Sequence, residues 1–256
     1  MLRLIVSLCL FSNVYSRVVK NMDHSMWSLS EELDKTELSS PPELSFTKDT
    51  MEDRTLDAGS ELEMTCEVTG IPTPVILWEH NGKIVDGQYE TTVYEKLRNV
   101  AKPTIQHGIT SSRLRIPCVS SQHQGRYKCI ATNGRQTIEK VAKLTVVGTS
   151  SCEIAPQPPY IQLWSESRFE NEGNSVQLLC RSQKNAAIAW YNQERELLNN
   201  HPGYEVFPNG DLLIKNAQWD EHMGTFTCVA SNEVGEDRAE IFFYPTALPG
   251  ESETKL

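Results

Sequence analysis

The sequence predicts an all-β chain built as two tandem β-sandwiches, and three observations carry that prediction. Two Cys…Trp…Cys frames follow one another: Cys66, Trp78 and Cys129, then Cys180, Trp190 and Cys228. Within each frame, apolar residues alternate with period two in short runs broken by turn residues, as in strands with one buried face. No segment carries a long amphipathic helical period. A length of 256 residues suits two domains of about 100 residues, each with its own core.

Each Trp follows its first cysteine by about a dozen residues, the spacing that packs a strand C Trp on the B–F disulfide of an immunoglobulin sandwich. The expected bridges are therefore Cys66–Cys129 and Cys180–Cys228, with Trp78 and Trp190 against them. Along the chain, residues 1–16 read as a secretory signal. Arg3 precedes an apolar run from Leu4 to Phe11, and Val14 and Ser16 sit at small-residue cleavage positions. That run is too short to span about 30 Å of hydrocarbon. Residues 17–41 are rich in Ser, Glu and Asp without a sustained apolar period and read as a mobile arm.

Domain 1 is expected over 42–147. Leu62, Met64 and Cys66 alternate on strand B, Leu114 and Ile116 on strand E, and Ala142, Leu144 and Val146 on strand G. The stretch from Asn81 to Arg113 makes the first frame longer than the second; it has room for extra edge strands, as in variable-type domains. The serines and prolines of 148–158 indicate an extended, semi-rigid linker. Domain 2 is expected over 159–245, with Val176, Leu178 and Cys180 on strand B, Leu212 and Ile214 on strand E, and Ala239, Ile241 and Phe243 on strand G. Asn209-Gly210 is a tight-turn pair between strands D and E. The tail 246–256 is polar.

Cys9 falls in the leader, which leaves six cysteines, an even number suited to an oxidising compartment. Cys118 ends strand E and Cys152 lies just beyond strand G, at the same end of the first sandwich. A bridge between them is expected and would restrict the angle between domains; two free or intermolecular thiols are the alternative.

The net charge of −10 repels phosphate backbones, so nucleic acid is not an expected partner. A basic protein or peptide is compatible. There is no Gly-x-Ser-x-Gly elbow, no phosphate-binding glycine loop and no compact Cys/His cluster, so catalytic residues, metal and cofactor are all expected to be absent. No Asn-x-Ser/Thr sequon shields the sandwich faces. Burial of Ile241 and Phe243 on strand G sends Phe242 and Tyr244 outward. On an edge strand these rings are candidate partner anchors, and the edge could accept a partner strand. In the competing reading the rings pack on the linker, strand A (Tyr160 to Trp164) or the tail.

Gly70-x-Pro72-x-Pro74 before Trp78, Cys129-x-Ala131-x-Asn133, Cys228-x-Ala230-x-Asn232-x-x-Gly235 and the Asn209-to-Ile214 turn resemble the I-set branch of immunoglobulin domains. That branch usually reads Asp-x-Gly-x-Tyr-x-Cys before strand F's cysteine. Here His123 and His222 replace the Asp, and Phe226 replaces the second Tyr. The corner hydrogen bond is thus expected from Tyr127 alone. Both histidines are expected as exposed turn residues, with pH sensing as the competing role.

Two such domains behind a signal, the Cys118/Cys152 pair and the ending Phe243-Tyr244-Pro245 resemble the nematode secreted two-immunoglobulin (zwei-Ig) family. They are also similar to the insect secreted insulin-binding two-Ig protein. The resemblance implies a non-enzymatic secreted recognition factor that maintains axon or neuron position through contacts with neuronal surface receptors or matrix. The alternative it implies is a carrier that sequesters insulin-like peptides. Homophilic adhesion is a third reading, disfavoured by like-charged acidic surfaces.

Overall fold

A computed structural model describes residues 38, 40–48, 50–87, 93–152, 155–182 and 186–247. The signal expected at 1–16, most of the arm 17–41 and most of the tail 246–256 lie outside the described residues. Leu38, near the arm's end, forms an isolated parallel bridge with Thr104.

The first sandwich has one sheet of β2 (Arg54–Asp57), β8 (Thr137–Val147), β7 (Gly125–Thr132), β4 (Val75–His80) and β5 (Lys83–Asp86), in that order. Facing it are β1 (Glu43–Phe46), β3 (Leu62–Ile71) and β6 (His107–Ile116). Leu62, Met64, Cys66 and Val68 alternate inward along β3 and meet Trp78, Tyr127 and Leu144 in the core. Cys66 is bonded to Cys129, with Cα atoms 6.5 Å apart.

The second sandwich comprises β9 (Ile161–Asn171), β10 (Val176–Leu178), β11 (Cys180–Ser182), β12 (Ala187–Tyr191), β13 (Tyr204–Val206), β14 (Leu212–Ile214), β15 (Gly224–Ser231) and β16 (Glu236–Thr246). Its core holds Trp190, Leu212, Ile214, Phe226, Ile241 and Phe243 around the Cys180–Cys228 bond. The Asn209-Gly210 turn joins β13 to β14, and its Gly210 carbonyl accepts the Trp190 indole N–H at 2.8 Å.

The two sandwiches share a sheet. The outer edge of β6 pairs antiparallel with β9, from His107↔Phe169 to Ser112↔Leu163, with a register shift that leaves Glu166 as the extra residue of a bulge. Across its other edge β9 pairs antiparallel with β11 and then parallel with β16. The result is one sheet ordered β1-β3-β6-β9-β16-β15-β12, with β11 beside β9.

This arrangement corrects two expectations. The stretch from Asn81 to Arg113 supplies a single extra strand, β5, and among the described residues no further strand precedes β6. Instead the chain crosses to the second sandwich through a short helix, α1 (Val93–Arg98). The unpaired edge of β6 is then satisfied by β9, since a ten-residue free edge is a pairing liability. The Cys118–Cys152 bond exists, with Cα atoms 5.8 Å apart. The relation between the sandwiches is nevertheless set by the shared ladder and not by that bond or the linker.

Polar contacts anchor the crossing. Asn99 Nδ2 donates to Ser175 O at 2.7 Å, and its Oδ1 accepts the Ser175 N–H at 2.8 Å. Glu170 accepts the Ile105 and Gln106 N–H groups at 2.9 and 3.0 Å. At the centre Arg168 pairs with Glu95 at 2.5 Å, both side chains fully buried, and Arg168 also donates to Thr73 Oγ1. Burial drives the Glu95 carboxyl upward from its usual value, and the Arg168 charge opposes that drive. Gly108 makes the crossing fit: a Cβ there would lie 2.9 Å from Arg168 Cδ and 2.9 Å from the Ser167 carbonyl.

Candidate functional site

Alternation on the shared sheet sends one set of side chains into the cores and the other onto a common open face. On β16, Ala239, Ile241 and Phe243 are buried, and Phe242 and Tyr244 take the open face. β16 is not an edge strand. It pairs with β15 on one side and, from Phe242 to Thr246, with β9 on the other, so no partner strand can be added beside Phe242 and Tyr244. The outward direction of Phe242 and Tyr244 follows the sequence pattern, and their surroundings do not.

The register aligns an aromatic row across the junction. The His107 ring on β6 stacks on Phe169 of β9 with centroids 5.3 Å apart. Phe169 meets Tyr244 at 5.9 Å. Tyr244 in turn receives the edge of Trp219 at 5.0 Å, from the one-turn helix α2 (Trp219–His222). Tyr244 thus packs on β9, beyond the Tyr160 to Trp164 stretch that the sequence suggested. Phe242 remains 40% exposed, as does Trp219. Burial, reinforced by the Arg168 charge, holds His107 below the usual imidazole value.

A second cluster lies at the other end of β9, beyond the bulge, where Trp164 pairs with Cys180 and packs against the second core. The Arg113 guanidinium lies 5.5 Å from the Trp164 ring centroid and is ion-paired with Asp237. The Trp164 indole donates to Glu166 at 3.0 Å. Towards β3 the face becomes polar, with Glu67 paired to Lys48 at 2.7 Å. Towards β15 it is mixed in charge, where Tyr191, Arg195, Glu236, Arg238 and Glu240 line a shallow 400 Å³ depression. The site is therefore an apolar strip about two strands wide between polar margins, which suits docking rather than chemistry. Among the described residues no group of His, Cys, Asp and Glu could hold a metal, and no helix is long and apolar enough to cross a membrane.

The histidines differ from expectation. His222 is 4% exposed, and its Nδ1 accepts the Gln218 N–H at 2.9 Å. His123 Nδ1 accepts the Ser120 N–H at 2.9 Å in the matching turn of the first sandwich. Neither is a free surface residue. Tyr127 makes the corner bond, donating to His123 O at 2.8 Å. Burial pushes the Tyr127 phenol up to about 12.

Sequence reasoning missed His107, Phe169 and Trp219. Two signals were present: Gly108 interrupts an otherwise strand-like run, marking close approach, and Arg168 occupies an inward position of β9.

A family model described as an immunoglobulin domain matches residues 41–133 and 158–232. With the fold and the open face, this defines a non-enzymatic protein of two immunoglobulin domains. Zwei Ig domain protein zig-3 of Caenorhabditis elegans is 39% identical over 221 residues, covering 86% of this chain and 87% of that protein. Zwei Ig domain protein zig-4 is 37% identical and covers 92% of each. The chain belongs to this zwei Ig domain family. The neural/ectodermal development factor IMP-L2 of Drosophila melanogaster is 30% identical over 73% of this chain and 71% of its own length. Its crystal structure aligns with a TM-score of 0.63 at 26% identity, covering 82% of this chain and 97% of that one.

Proposed function

We propose that this protein is secreted and captures an insulin-like peptide on the aromatic row of its shared sheet. The observation that carries the reading is the row itself: Phe242 and Trp219, each 40% exposed, border the half-buried Phe169 and Tyr244 on a face wide enough for one helix. A small folded peptide with an apolar helical face fits such a strip, and aromatic anchors are the residue type that dominates interface energy. The acidic net charge of −10 favours peptides with basic margins. Three disulfides among the described residues suit an oxidising extracellular setting. The similarity to IMP-L2 over both domains, together with the resemblance to the insect insulin-binding two-Ig protein, supports the same partner class.

Calorimetry against a panel of insulin-like peptides tests this. Saturable binding should appear, and Phe242→Asp should weaken it by roughly 30-fold, the loss of one anchor. Absence of saturable binding at micromolar peptide ends the carrier reading.

The second reading is neuronal recognition, which maintains axon or neuron position through surface receptors or matrix. The mixed-charge depression around Arg195, Arg238 and Glu240 favours it, as does the resemblance to the zwei-Ig family. Binding to neuronal ectodomains that Arg238→Glu removes and Phe242→Asp spares would select this reading over the first.

A further inference from the structure

The α2 helix presents Trp219 to the aromatic row, and its hydrogen bonds depend on the protonation of one ring. The Gln218 N–H donates to His222 Nδ1 at 2.9 Å, and the His222 N–H donates back to the Gln218 carbonyl at 3.0 Å. An imidazole nitrogen accepts only when it carries a lone pair, so the proton of the neutral ring sits on Nε2. Protonation turns Nδ1 into a donor facing another donor, and the Gln218 amide loses its acceptor. The Gln218 carbonyl, 3.3 Å from Nδ1, can receive the new N–H, and the Gln218 amide is left with no acceptor on the ring. One turn of helix has few other restraints. Trp219 N–H is held by Glu172 at 2.6 Å, and Met223 O by Gln193 at 2.7 Å.

We propose that His222 is an acid-released latch on the binding face: neutral, it caps α2 and seats Trp219 against Tyr244, and protonated, it lets α2 and Trp219 loosen. This deepens the reading given above by assigning a regulation to the same site. The first sandwich carries an independent copy of the device. There His123 Nδ1 accepts the Ser120 N–H at 2.9 Å and the His123 N–H returns to Ser120 O at 2.9 Å, on a turn that carries no aromatic anchor.

The groups around His222 are Asp220 and Glu221 on α2, His201 from the turn before β13, and Tyr204 on β13, whose ring meets His222 edge-on at 5.7 Å. Burial and His201 oppose the charge, and the Gln218 carbonyl, Glu221 and Asp220 favour it; burial prevails and the value lies below that of a free imidazole. His222 is therefore neutral at neutral pH. A lowered folded value means that the unfolded chain binds the proton more readily. The latch is thus complete above about pH 6.5 and is lost as pH falls through the folded value.

Amide exchange read by NMR on the free full chain tests the latch apart from any partner, so a failure of peptide binding leaves this result interpretable. Between about pH 7.5 and about pH 5.5, Gln218 protection, corrected for intrinsic exchange, should fall about fivefold. In His222→Asn, whose Oδ1 replaces Nδ1 as a non-titrating acceptor, protection should stay constant. Unchanged Gln218 protection in the parent chain, or an equal fall in the variant, overturns the proposal. Should His222→Asn not fold, the ring ¹⁵N shifts decide: an unprotonated Nδ1 at about pH 7.5 supports the latch, and a protonated Nδ1 there overturns it.

Discussion

Glu95→Ala isolates the polar lock at the junction of the two sandwiches. The Glu95 carboxylate lies 2.5 Å from Arg168 Nη2, with neither side chain exposed. Charges centred about 4 Å apart attract by about 4 kcal/mol at an effective dielectric near 20. Removing one partner leaves the other buried and uncompensated, which costs about 3–5 kcal/mol. Glu95 also accepts the Gln177 N–H at 2.8 Å, and orphaning that amide adds about 1 kcal/mol. The expected loss is therefore about 4–6 kcal/mol, which lowers the melting temperature by about 8–24 °C in a chain with about 200 ordered residues. Urea unfolding followed by far-UV circular dichroism measures the loss, and hydrogen exchange locates it. The β6–β9 ladder amides should exchange faster, and those flanking the Cys66–Cys129 bond should not. The double replacement Glu95→Leu with Arg168→Met should recover more than half of the loss, since an apolar pair removes the uncompensated charge. A cost below about 1.5 kcal/mol for Glu95→Ala would refute the assignment of the lock to this pair.

Replacing Cys118 and Cys152 by serine should cost up to about 4 kcal/mol on the chain-entropy model for the 34-residue separation. It should leave the small-angle scattering profile unchanged, because the ladder and not the bond sets the relation between the sandwiches; a broadened profile contradicts this. Gly108→Ala should destabilise by about 1–3 kcal/mol, as its Cβ meets the Ser167 carbonyl at 2.9 Å and backbone cannot yield; thermal unfolding reads it. His107, His123 and His222 all lie below the free imidazole value, chiefly through burial. Their contribution to stability is present above about pH 6.5 and drains as pH falls through the lowered folded values. Urea midpoints should therefore be lower at about pH 5.5 than at about pH 7.5, and equal midpoints would remove the histidines from the account.

Much of each sandwich was legible along the chain. Leu62, Met64 and Cys66 alternate because one face of β3 is buried, and Trp78 lies where a strand C residue must stand to cover the bridge. The Tyr127 corner bond and the Asn209-Gly210 turn are equally local: a few residues determine the geometry. Phe242 and Tyr244 were readable as outward from the same alternation. What could not be read was the neighbour of β16, because its edge closes on β9, some 70 residues away in sequence. The histidine roles were hidden for a similar reason. A ring nitrogen accepting a backbone N–H leaves no trace in composition or period.

Two β-sandwiches, their cores, the Cys66–Cys129 and Cys180–Cys228 bridges and a family resemblance could all be read along the chain, since periodic burial and cysteine spacing are properties of single strands and close neighbours. That β9 stands where a fourth strand of the first sandwich would lie emerges from the three-dimensional pairing alone. Main-chain hydrogen bonds join two edges without regard to side-chain identity. The aromatic row His107–Phe169–Tyr244–Trp219 exists because that pairing brings three strands and a helix turn from both domains onto one face.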